Sequence, residues 1–133
     1  MKRMLMVLAA ALAGLGLMYF AGILCLGHAL TQADPFPAFM ADYQLRRSQS
    51  YGDAERNFSD FVAKTFAIGS DKNDAIAQIS KGGFQVATSA SETVEFVWKR
   101  HSGPCSEQYS IVIRSDGRGK IAKVAGQLRP ICL

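Results

Sequence analysis

Three cysteines, two histidines and one close pair of aspartates are the residues of this 133-residue chain best suited to chemistry. Cys105 and Cys132 flank what reads as the final hairpin. If its turn centres near Gly117-Arg118, position 105 opposes position 130, and Cys132 stands two places further on. A bulge would bring the two sulfurs together, and an oxidising compartment would let them bond. On chain-entropy grounds, closing a loop of that length stabilises a fold by roughly 3 kcal/mol. The alternative is a metal site with His101, but one His and two Cys fall short of the usual four ligands.

The remaining candidates point away from catalysis. His28 and His101 belong to no nucleophile motif, and the chain has no G-x-S-x-G, H-E-x-x-H, P-loop or G-x-G-x-x-G. Asp71 and Asp74 sit where a helix should begin, and acids there ordinarily serve the helix end. Asn57-Phe58-Ser59 fits a glycosylation acceptor but falls inside an expected helix. Phe96, Trp98 and Tyr109 could line a binding face, although a sheet core accounts for them better. The expectation is a non-enzyme with no catalytic residue, cofactor or metal.

Charge is unevenly spread. Lys2 and Arg3 supply +2, residues 34–98 carry −3, and residues 99–133 carry +5, for a net charge of +4. The C-terminal excess is Lys99, Arg100, Arg114, Arg118, Lys120, Lys123 and Arg129. A basic face of this kind attracts anionic lipid headgroups or an acidic partner; a solvated sheet face is the plainer reading. No dense basic run with interleaved aromatics suggests nucleic acid.

Met4 to Leu26 contains no charged residue. As a helix rising about 1.5 Å per residue, it reaches about 34 Å, against a hydrocarbon core of about 30 Å. Lys2 and Arg3 precede it, and the next basic residue is Arg46. The positive-inside bias then puts the N-terminus in the cytoplasm of a bacterial inner membrane and the rest in the periplasm. The rival is a cleaved signal peptide, with small residues at Gly27-His28-Ala29 and Thr31-Gln32-Ala33, although signal h-regions usually run about 7–15 residues. Cys25 fails as a lipid attachment site, because Leu24 precedes it and Gly22 stands three before. Small residues at Ala9, Ala13, Ala10, Gly14 and Gly22 would permit close helix approach.

The elements that must position these residues follow from periodicity. Asp34-Pro35-Phe36-Pro37 forces an extended exit from the anchor. Residues 38–47 suit a short helix and 48–52 a turn. Over 53–67, Ala54, Phe58, Phe61, Val62, Thr65 and Phe66 share one helical face. Ser70 is the expected N-cap of a further helix with Ala75, Ile76 and Ile79 buried, ended by Gly82-Gly83. The period then changes to two. Strands are expected at 84–88, 92–100, 107–115 and 120–128, with a loop at 101–104, a turn at 116–119, and Pro130 as the final stop. The fold class is α+β: a transmembrane helix (1–30), a linker with a short helix (31–50), and a compact domain (51–133) of two or three short helices on a four-stranded antiparallel sheet.

The run Phe66-Ala67-Ile68-Gly69-Ser70, the helix ending at Gly82-Gly83-Phe84, and strands carrying Trp98, Cys105 and Asp116-Gly117 together resemble the small bacterial envelope proteins of the SmpA/OmlA type. That resemblance covers roughly residues 53–133 and implies a helix-helix-sheet domain and an accessory place in an envelope assembly. The chain departs from that type by having a membrane-spanning segment in place of a lipidated cysteine. The functional expectation is a single-pass accessory or interaction subunit of an envelope or respiratory membrane complex. The alternative is a periplasmic binding or inhibitor module of the immunity type, acting on a soluble target.

Overall fold

The computed structural model describes residues 2–31, 33–48, 50–102 and 105–132, with side chains over 13–27, 33–48, 50–101 and 105–131. The protein is α+β, with four α-helices and one antiparallel sheet among the described residues. Two units are distinct, residues 1–32 and 33–133.

The first unit is helix α1, Lys2–Thr31, rich in the strong helix formers Leu, Ala and Met. From Ala13 to Gly27 every side chain is exposed. Among the described residues no helix is long and apolar enough to cross a membrane; these fifteen residues alone span about 22 Å. The side chains of Lys2, Arg3 and His28 lie outside the described residues.

The second unit opens with a 3-10 turn, Ala38–Met40, followed by α2 (Ala41–Arg46), α3 (Tyr51–Thr65) and α4 (Lys72–Lys81). Residues 33–50, part of the stretch 31–50 expected as a linker with a short helix, belong to this unit: Met40 and Tyr43 are core residues, and Phe36 and Phe39 pack against the core. In α3, Ala54, Phe58 and Val62 are buried at four-residue intervals, the stripe its period dictates. Asp71, rather than Ser70, caps α4. Its carboxylate accepts from the Asn73 and Asp74 amides at 2.9 and 3.4 Å, while the Ser70 hydroxyl donates back to the Ala67 carbonyl at 2.7 Å. Gly82 caps the other end, and Gly83 takes φ +84°, which turns the chain into buried Phe84 without a Cβ penalty.

Strands β1 (Gln85–Ser89), β2 (Thr93–Ser102), β3 (Cys105–Ser115) and β4 (Ile121–Cys132) form a meander in that order. Three strand ends run two residues or more beyond expectation: β3 begins at Cys105, and β2 and β4 end late. His101 and Ser102 are not loop but pair with Ser106 and Cys105, so β2 runs two residues further; Gly103 and Pro104 lie outside the described residues. Pro130 does not stop β4. It pairs with Glu107 on an edge strand, where a missing N–H costs no interior ladder bond.

One sheet face is covered. Val94 and Phe96 of β2, Tyr109, Ile111 and Ile113 of β3, and Leu128 of β4 point into a core shared with α3 and α4. Helix α3 lies so close to β4 that a Cβ on Gly126 would come within 2.7 Å of the Val62 Cγ2 and 3.2 Å of the Phe58 ring. Glycine is therefore the residue that admits the helix.

Candidate functional site

Strand alternation sorts the seven basic residues into two groups. Lys99, Arg114, Lys123 and Arg129 occupy the positions whose neighbours along each strand point into the core, so they stand on the sheet's other face, and all four are exposed. The register aligns them in rows. Arg114 lies directly opposite Lys123, and Lys99 and Arg129 both pair with Gln108. Between those rows lie Glu95, Val97, Ser110, Val112, Ala125 and Gln127.

The other three are committed elsewhere. Lys120 reaches Asp71 at 3.4 Å, and Arg118 folds onto Asp116, also at 3.4 Å. Arg100 is not part of the basic face. It shares the parity of Val94, Phe96 and Trp98, its side chain is only 12% exposed, and it points under the helices.

What Arg100 meets there is Glu107, a carboxylate that is 2% exposed. Arg100 Nη1 donates to Glu107 Oε2 at 3.1 Å, the Tyr109 hydroxyl donates to the same oxygen at 2.8 Å, and Arg47 Nη2 donates to Oε1. The guanidinium of Arg100 also lies 4.3 Å from the Phe36 ring centroid, a cation–π contact. Around this cluster Phe36, Tyr43 and Tyr109 meet edge to face with centroids 5.7–6.0 Å apart. Buried carboxylates persist only when paired and hydrogen-bonded, and here three donors fill the lone pairs. The group is a clamp joining the end of α2 to β2 and β3.

The surroundings move the titrating groups accordingly. Burial raises Tyr109 far above the ordinary tyrosine range, reinforced by Tyr43 and by the bond to Glu107. Burial likewise raises Tyr43 and Tyr51. For Arg47, burial works against the charge, but Tyr109 and Glu107 outweigh it and hold the guanidinium above its usual value.

Neither Glu107 nor Arg47 stands out in the sequence as a site residue. The signal was present at Glu107, which shares the period-two phase of Tyr109, Ile111 and Ile113; Arg47 joins it only through the tertiary fold.

The hairpin register answers where the cysteines stand. Cys105 pairs with Cys132 along the backbone, not with Pro130. The two-place offset has two causes. Ser115 pairs with Ile121, which centres the turn on Arg118, and a one-residue bulge follows between Arg114 and Ser115. The Cys132 side chain lies outside the described residues. Cys25 is exposed and free.

His101 joins no metal cluster among the described residues. Its backbone amide donates to Asp34 Oδ2 at 2.9 Å, and Arg100 Nε donates to the Asp34 carbonyl at 2.7 Å. These bonds fasten the start of the second unit to β2, and the His101 amide above all lowers the Asp34 carboxyl. An open cleft of about 380 Å³ between α2 and α3 carries Asp42, Asp60, Arg46 and Lys64, whose charges balance. No family model, curated protein or solved structure matches the chain.

Proposed function

We propose that the protein is a non-catalytic, single-pass membrane-anchored accessory or interaction subunit of a larger bacterial envelope or respiratory membrane complex. Its N-terminus is cytoplasmic and its α+β domain periplasmic. The observation that carries this reading is the apolar surface of α1. Leu15, Leu17, Met18, Tyr19, Phe20, Ile23, Leu24 and Leu26 are each at least 52% exposed. A helix apolar all round is buried in a core or a membrane, and contiguous exposed apolar surface of that extent marks a contact with lipid or protein. The uncharged run from Met4 to Leu26 and the basic pair ahead of it give the same direction. At about 1.5 Å per residue, the thirty residues of α1 extend about 45 Å, beyond the hydrocarbon thickness. The helix-then-meander order is the one implied by the likeness to SmpA/OmlA-type envelope proteins.

The test is mild-detergent extraction at native expression, followed by a native gel and mass spectrometry. A subunit co-migrates with one large membrane complex in fixed stoichiometry. A chain that runs alone, or is recovered as a soluble domain trimmed near Leu30 or Asp34, contradicts the reading and favours the periplasmic binding or inhibitor module.

A further inference from the structure

We infer that the uncovered face of the sheet is the docking surface for an acidic protein partner, with Arg114 and Lys123 at one end and Lys99 and Arg129 at the other. This rests on the accessory-subunit reading and deepens it by naming the surface and the partner's chemistry.

The first ground is an electrostatic cost. Arg114 and Lys123 are directly opposed across β3 and β4, and like charges so placed destabilise a sheet. Glu92 offers only a distant counter-charge to Arg114, at 3.9 Å. Among the described residues Lys123, Lys99 and Arg129 form no ion pair. Such an arrangement is relieved when an anion arrives from outside.

The second ground is the shape between the charges. Arg114 and Gln108 stand six steps apart along β3, about 20 Å at strand spacing. That interval holds half-buried Val97, Val112 and Ala125 and buried Ser110, with exposed Gln127 as a hydrogen-bonding group and the single carboxylate of Glu95 beside Val112. A less charged centre of small and branched side chains inside a cationic rim matches the depletion of charge at the core of a protein interface.

The other occupants fit less well. A second copy docking face to face would set four cations against four, with Glu95 and Glu92 alone to offset them among the described residues. A lipid surface is met through projecting aromatic or long aliphatic side chains, and this face offers only Ile131, at its margin and 44% exposed.

The experiment places a photo-crosslinking side chain on the face, Gln127→p-benzoylphenylalanine, and another on exposed Gln78 of α4, in the full-length chain in native membranes. The expected result is one discrete protein adduct from position 127 and none from position 78, joined at an Asp/Glu-rich peptide. Its yield falls roughly tenfold or more in the Arg114→Glu, Lys123→Glu double variant, since opposed like charges cost several kcal/mol. It also falls in the unmutated protein as salt is raised, so the result does not depend on that variant folding. A lipid adduct, an adduct of twice the chain mass, an acid-poor peptide, a yield indifferent to salt, or no adduct overturns the proposal. The same membranes are run on the native gel. A chain that migrates in a large complex but crosslinks elsewhere loses this surface and keeps the subunit reading; a chain in no complex loses both.

Discussion

Arg47 and Glu107, sixty residues apart, form a part-buried ion pair that ties the segment after α2 to the inner face of β3. The pair shares its carboxylate with Arg100 and Tyr109, so three residues from three parts of the chain depend on one side chain. Removing one member of a buried ionic cluster leaves the rest uncompensated, at a cost of about 3–5 kcal/mol. Glu107→Ala is therefore expected to lose about that much in urea unfolding of the full chain in mild detergent. Arg47→Ala should lose less, because Arg100 remains and Arg47 is 25% exposed. Equal stability of Glu107→Ala and the parent would show that the cluster contributes nothing.

The tyrosines give a pH signature. The folded values of Tyr43, Tyr51 and Tyr109 are raised, chiefly by burial. A raised group favours the folded state at pH below its unfolded value, near 10 for tyrosine, and that stability is lost as pH rises beyond it. Near-ultraviolet titration should therefore show the Tyr109 phenolate appearing only together with loss of the fold. Ionisation of all tyrosines near pH 10 with the far-ultraviolet spectrum intact would contradict the burial.

Acid acts on a different set. Asp71 is lowered by the Asn73 and Asp74 amides it caps, and Asp116 by the Lys120 and Arg118 amides in the hairpin turn. Groups with lowered values stabilise the fold above the ordinary carboxyl pKa of about 4, and that contribution fades as pH falls through the lowered value. Asp71→Ala should lower the melting temperature at neutral pH, while Asp71→Ser should recover much of it by capping without a charge. Serine giving no recovery over alanine would argue against a capping role.

Gly126 marks the place where α3 touches β4. A Cβ there meets Val62 at 2.7 Å and Phe58 at 3.2 Å, so Gly126→Ala overpacks the core by about 1–3 kcal/mol. Adding Val62→Ala should restore part of the loss. Two additive destabilisations would mean that the helix does not press on the strand.

The Cys105–Cys132 pairing predicts a disulfide. Intact mass of the non-reduced chain should be two protons below that of the reduced chain, and reduction should cost roughly 3 kcal/mol. An unchanged mass on reduction would exclude the bond.

Much of the architecture was legible in the residues. The 3.6 spacing of Ala54, Phe58 and Val62 marked α3, and the change to period two after Gly83 marked the sheet. The ends were less legible. His101 and Ser102 break the apolar alternation yet extend β2, because pairing to β3, not side-chain polarity, sets a strand's length. Ser70 and Asp71 are both good caps, and only the backbone path decides between them. The buried cluster is not legible in the sequence because charged residues default to the surface; composition puts Arg100 with the basic face, whereas its strand parity sets it against the Phe36 ring. The contribution of residues 33–50 to the core depends on contacts between Phe36, Tyr43 and Tyr109, which no local pattern reveals.

The central claim is that α1 is a retained anchor. The most direct measurement is the mass and membrane partition of the mature protein after alkaline carbonate washing. The prediction is a chain that stays in the membrane pellet with residues 4–26 intact. A soluble protein whose N-terminus lies at Leu30 or Asp34 would contradict it.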